Sequence, residues 1–191
     1  MWYTSETIEC NYYRNYKCAS SFIVYNLGFL PDEKKYPFSF SIIRNPIERV
    51  ESYMYMECKN NINYIEPLME KILLNFNNND VHSVPFTKSL PIKDLDFIGA
   101  LENINTDIKK ICNHLGKDIN IENFIYSDNK LPAGNYTNTL NITDRKKYKD
   151  KLSILIRNIV TRNQKEIEKV YKDDIELYHS VINSNSKFNT L

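Results

Sequence analysis

The stretch "PFSFSIIRNPIERVESYMYMECK", residues 37–59, changes period in mid-course. Residues 37–44 are aromatic, β-branched and small, with no charge before Arg44, and this predicts a strand covered on both faces. Pro46 then stands where a first-turn helical proline is tolerated, and residues 47–59 read as a helix. A strand that runs directly into a helix puts Arg44 at the strand's carboxyl end. Open α/β sheets bind ligands there, beside the unpaired amides of the helix start.

The guanidinium of Arg44 is a planar fork of donors suited to phosphate. Ser52, eight residues on and about two helical turns away, adds a hydroxyl. Arg49 is expected to brace the loop by pairing with Glu48 or Glu102. Arg-Asn-Pro is also common punctuation, so a solvated arginine and a surface serine form the competing reading.

A unit of the same grammar precedes this one. Residues 7–16, "TIECNYYRNY", read as a strand, "KCASS" breaks the pattern, and "SFIVYNLGFL" spaces Phe22, Ile23, Leu27 and Leu30 as a helix ended near Gly28 and Pro31. Lys17, Ser20 and Ser21 fall at the turn between strand and helix, the design of a phosphate-cradling loop. The glycine spacing of a Walker A sequence is absent, which counts against a nucleoside triphosphatase or kinase.

A third unit follows. "LDFIGAL" is a compact apolar strand, and Ile104, Ile108, Ile111 and Leu115 form a helical stripe closed at Gly116. Between the second and third units lie a helix at "YIEPLMEKILLNF" and an irregular stretch bracketed by Pro85 and Pro91. From Thr143 to Tyr178 the chain reads as helix, broken once near Thr161, with Leu152, Leu155, Ile156 and Ile159 as a core stripe. The expected fold class is α/β: a three-layer P-loop-type fold with a central parallel β-sheet flanked by helices. Residues 1–182 form one domain in this reading, and 183–191 a polar tail.

Composition narrows the function. The chain has 191 residues and a formal net charge of +1, so it lacks the basic field of non-specific nucleic-acid binding. No stretch approaches the ~20 apolar residues of a membrane span and no apolar leader opens the chain, so a cytoplasmic protein is expected. Cys10, Cys18, Cys58 and Cys112 lack metal-ligand spacing and are expected to be reduced thiols. The sequons at Asn135 and Asn141 are discounted for want of a signal peptide.

Two phosphate-type turns on successive units resemble the PAPS-dependent sulfotransferases of the carbohydrate type, PAPS being 3′-phosphoadenosine 5′-phosphosulfate. "FSIIRNPIERVESYMY" is similar to that family's 3′-phosphate motif and "YKCASSFI" to its 5′-phosphosulfate loop. "DLDFIGALENINTDIKKICNHLG", "LPAGNYTNT" and "VYKDDIELY" resemble later segments in the same order. The resemblance implies that Lys17, Cys18, Ala19, Ser20 and Ser21 hold the donor's 5′ end, with Lys17 also acting in catalysis. It implies that Arg44 and Ser52 hold the 3′-phosphate, with Arg145, Lys146 and Lys147 closing over it or standing as a solvated helix start.

Sulfuryl transfer to an alcohol calls for a base. His82, in "DVHSVPF" where the family often has His-x-x-Pro, is the candidate, with Asp32 and Glu33 as the fallback. His114 and His179 read as a structural and a surface residue. The implied reaction moves a sulfuryl group from PAPS to a hydroxyl of a saccharide or small molecule without a metal. A degenerate PAPS-binding protein is the alternative, and a small-molecule kinase a weaker one. The chain departs from the family at Tyr16, where a proline is usual, at Ala19, where a glycine is usual, and at Phe86, where a glutamine is common. Acceptor and oligomeric state are not legible.

Overall fold

A computed structural model describes residues 1–74, 82–118 and 142–184, with side chains of the last segment described from Lys147 onward. Two compact units emerge. One comprises Met1–Arg44, Phe86–Ser127 and Glu176–Leu191, the other Asn45–Pro85 and Asp128–Ile175.

The first unit holds the sheet. Its strands are β1 (Trp2–Ser5), β2 (Cys10–Tyr13), β3 (Leu30–Pro31), β4 (Ser39–Ile43) and β5 (Phe97–Ala100), in the order β3-β1-β2-β4-β5. Strands β2, β4 and β5 run parallel, with Tyr12 opposite Phe40 and Ile43 opposite Ala100. The expectation of a parallel sheet fails beyond β2, because β1 is antiparallel to both β2 and β3. Only residues 6–9 join β1 to β2, too few for the crossover that parallel neighbours require. Glu9 closes this turn at φ 58°, its N–H donating to the Ser5 carbonyl at 2.8 Å. The strand expected at 7–16 is therefore shortened to its middle four residues, Cys10–Tyr13, and β1 was not anticipated.

Alternation sorts the sheet's side chains between two cores. Tyr12, Phe40, Ile42 and Phe97 meet Ile23 and Leu27, from α1 (Ser20–Asn26) and its cap, and Ile104, Ile108 and Ile111 from α5 (Ile104–His114). Ile43, Ile98 and Ala100 meet Phe86 from α4 (Phe86–Ser89), Leu90, Leu95 and Val181 from α8 (Lys172–Asn183). Burial on both faces is what the unbroken apolar run of β4 demands.

Gly99 shows how tightly α5 lies on β5. A Cβ there would come within 2.7 Å of Ile42 Cδ1 and 2.8 Å of Asp107 Oδ2. Asp107 is fully buried and cannot retreat cheaply, since Oδ2 accepts the Ala100 N–H at 3.0 Å. Gly99→Ala is expected to destabilise the protein by about 1–3 kcal/mol through overpacking. Urea unfolding with an unchanged midpoint would refute this.

The second unit is helical. Its elements are α2 (Pro46–Cys58), α3 (Ile65–Leu74), α6 (Ile142–Arg162), α7 (Gln164–Val170) and the start of α8. Asn45 caps α2, its Oδ1 accepting from the Ile47 N–H at 2.9 Å and the Glu48 N–H at 3.4 Å. Pro46 takes the first helical position, where its missing N–H costs nothing. Val50, Met54 and Cys58 of α2 pack with Leu68 and Ile72 of α3 and with Leu152, Ile156, Ile159 and Val160 of α6.

Leu155, expected in that stripe, is 37% exposed, because the buried positions 152, 156, 159 and 160 define a face to one side of it. The expected break near Thr161 falls at Asn163, and a second, unforeseen break falls at Tyr171. All four cysteines are buried and unbridged, and burial pushes the Cys58 thiol up to about 11. No helix among the described residues is long and apolar enough to cross a membrane.

Candidate functional site

The parallel register brings two of the anticipated segments together in the first unit. With Tyr12 opposite Phe40, residues 14–19 after β2 and Arg44 after β4 leave the sheet at the carboxyl ends of neighbouring strands. Asn15 fastens this edge: it is 3% exposed, and its Nδ2 donates to the Ile42 carbonyl at 3.2 Å.

Within the turn, Lys17 at φ 66° and Ala19 at φ 54° are both left-handed. Each costs a side-chain-bearing residue roughly 1–2 kcal/mol relative to its ordinary conformation. Left-handed residues in a tight turn curl the backbone, the way anion-binding concavities are made from main-chain N–H groups. Ala19 caps α1 with no side-chain cap bond. Cys18 is fully buried, its thiol 3.5 Å from the Tyr16 carbonyl, so it offers a ligand only main chain. Ser20 is buried and Ser21 half-buried.

One cation here was missed by sequence reasoning. Arg14 donates through Nη1 to Tyr3 Oη at 2.6 Å, with its guanidinium 5.5 Å from the Tyr3 ring centroid and 4.8 Å from that of Tyr16. Tyr16, standing where a proline was expected, thus supplies one face of a stack. The signal for Arg14 was its position at the strand end, the same one that singled out Arg44. Segment 14–21, "RNYKCASS", contains cations and hydroxyls and no acid, and such a donor set fits an anion.

Residues 26–179 match the model of the sulfotransferase family. The chain belongs to the sulfotransferase family. No match was found among curated proteins or solved structures. The matched span includes Arg44, Ser52 and His82 and begins after the 17–21 turn.

In the second unit of the sulfotransferase, Ser52 is half-buried on α2 and its neighbour Tyr53 is buried. The His82 ring lies parallel to the Tyr53 ring, at 2° between planes and 6.2 Å between centroids. Arg49 is 1% exposed, and its Nη1 donates to the Val84 carbonyl at 2.8 Å, a partner not foreseen from sequence.

The fallback carboxylates are less well suited to base catalysis. Asp32 and Glu33 are exposed, and Asp32 is paired with Lys35. The hydrogen bond from Lys35, with a second from the Glu33 N–H, holds the Asp32 carboxyl below its ordinary range, which weakens it as a base. His114 is exposed at the end of α5, its ring 5.3 Å from that of Phe38, and His179 is exposed on α8.

Lys147 is exposed. The side chains of Arg145 and Lys146, the 131–139 segment, the tail from 185, Asn135 and Asn141 lie outside the described residues. Among the described residues no group of three or more His, Cys, Asp or Glu side chains is arranged to hold a metal ion.

Proposed function

We propose that this sulfotransferase moves a sulfuryl group from PAPS to a hydroxyl of a saccharide or small-molecule acceptor by in-line displacement, releasing 3′-phosphoadenosine 5′-phosphate (PAP). The observation that carries the reading is the shared carboxyl edge of β2 and β4, from which the acid-free 14–21 segment and Arg44 both leave. PAPS, when bound, supplies the sulfuryl group and a good leaving group. The curled 17–21 turn offers main-chain N–H groups and the Ser20 and Ser21 hydroxyls to the donor's 5′ end. Lys17 neutralises negative charge on the oxygen that bridges phosphorus and sulfur as that bond breaks. Arg44 offers its fork, and Ser52 a hydroxyl, to the 3′-phosphate, which sets this donor apart from ordinary adenine nucleotides. His82 takes the proton of the acceptor hydroxyl as its oxygen bonds to sulfur.

The test is calorimetric titration with PAP and with ADP, on the natural chain and on Arg44→Ala. PAP is expected to bind selectively. Loss of charge-assisted hydrogen bonds worth about 1.5–3 kcal/mol should weaken it by roughly 10–100-fold in the variant, with ADP little changed. Equal affinity for the two nucleotides would overturn the donor assignment. Mg²⁺-dependent ATP affinity in its place would favour a kinase. Selective PAP binding without PAPS consumption across a saccharide and alcohol panel would favour the degenerate binder.

A further inference from the structure

Residues 82–85 form no regular element, so their main-chain groups must find partners elsewhere. Two carbonyls of this segment are met by buried side chains of the second unit. Tyr171, 1% exposed, donates through Oη to the Ser83 carbonyl at 2.6 Å. Arg49, also 1% exposed, donates through Nη1 to the Val84 carbonyl at 2.8 Å. The two come from different elements: Arg49 from the first turn of α2, Tyr171 from the break between α7 and α8. One helical turn beyond Arg49, on the same face of α2, Tyr53 lies parallel to the His82 ring.

Burying a guanidinium is costly, and a well-packed apolar residue would serve plain stability at least as well. Arg49 nonetheless stands against a main-chain carbonyl, and holding that carbonyl in place is a role an apolar residue cannot fill. We propose that Arg49 and Tyr171 are positioning residues that fix the main chain after His82, so that the imidazole is held parallel to the Tyr53 ring in one orientation. Neither touches the reacting atoms; both act through His82. The inference rests on the reading of His82 as the base for the acceptor hydroxyl.

The experiment uses the full chain with Tyr171→Phe, which deletes one donor and keeps the ring, and Arg49→Met, with Arg49→Lys as the conservative variant that restores a donor. Proton NMR of the His82 ring, identified by its absence in His82→Ala, reads the orientation directly through the ring-current shift from Tyr53 and needs no acceptor. The His82 signals are expected to move toward free-histidine positions in Tyr171→Phe and Arg49→Met and to return part of the way in Arg49→Lys, while PAP affinity stays within about twofold.

Turnover of PAPS with a saccharide acceptor should fall on the order of tenfold in kcat for each donor-deleting variant, since a displacement of about 1 Å at a reacting group costs up to 10²-fold. The same substitutions in a His82→Ala background should cost nothing further. Unmoved His82 signals, or equal losses with and without His82, would overturn the proposal. If His82→Ala keeps full activity while Tyr171→Phe still moves the ring, the base assignment fails and the anchoring stands, so the two failures are told apart.

Discussion

Lys17→Ala is expected to lower kcat for sulfuryl transfer by about 10²–10³-fold, the loss seen when one preorganised donor to a developing oxyanion is removed. Negative charge grows on the bridging oxygen only as the bond to sulfur breaks, so the ammonium is worth more in the transition state than in the bound donor. The loss should therefore appear in kcat and kcat/KM together, with little change in donor KM. The substitution removes the cation without adding a new conformational demand, because lysine and alanine both carry a Cβ at this left-handed position, φ 66°. Rapid-quench measurement of PAP formation in a single turnover isolates the step from product release. An unchanged single-turnover rate with a raised KM would reassign Lys17 to simple donor binding.

His82→Ala should cost about 10²–10⁴-fold in kcat, the usual contribution of a positioned general base, and leave PAP affinity intact. The sign of the pH effect follows from the role. A base works unprotonated, so the natural chain should lose activity toward acid pH, and the variant should lose that pH dependence. Asp32→Asn provides the contrast. Lys35 holds the Asp32 carboxyl below its ordinary range, so it stays ionised far into acid and contributes no limb near neutrality. Removing it should leave rate and profile as they are. A profile unchanged in His82→Ala and flattened in Asp32→Asn would exchange the two assignments.

Much of the fold around the candidate site was legible because its signals are local. The run from Ser39 to Ile43 reads as a strand with both faces covered, and Pro46 reads as the first turn of a helix, both from a few neighbouring residues. Arg44 follows from these two facts alone, and so does its place at a strand's carboxyl end. Ala19 stands where the resembled family usually has a glycine, a residue that adopts a left-handed conformation freely. The chain holds alanine there at φ 54° and accepts the strain.

Non-local features were not legible. The hairpin of β1 and β2 depends on pairing between Trp2–Ser5 and Cys10–Tyr13, and short polar-aromatic runs of this kind give no period strong enough to declare it. Leu155 has the right chemistry for the core and lies off the buried face by its angle on α6. Arg49 could be seen as a helical arginine near a phosphate motif. Its burial against Val84, thirty-five residues on, could not.

By itself the sequence determined the three strand-then-helix units around β2, β4 and β5, their junctions and the residue types at each turn, because dihedral preference, capping and hydrophobic period act over a few residues. The tertiary structure alone decided which strand lies beside which, that Arg14 is clamped between Tyr3 and Tyr16, and that Tyr171 and Arg49 hold the segment after His82. Those outcomes turn on buried polar groups finding partners far along the chain, and such partners are chosen by packing and by the cost of leaving a donor or carbonyl unpaired away from water.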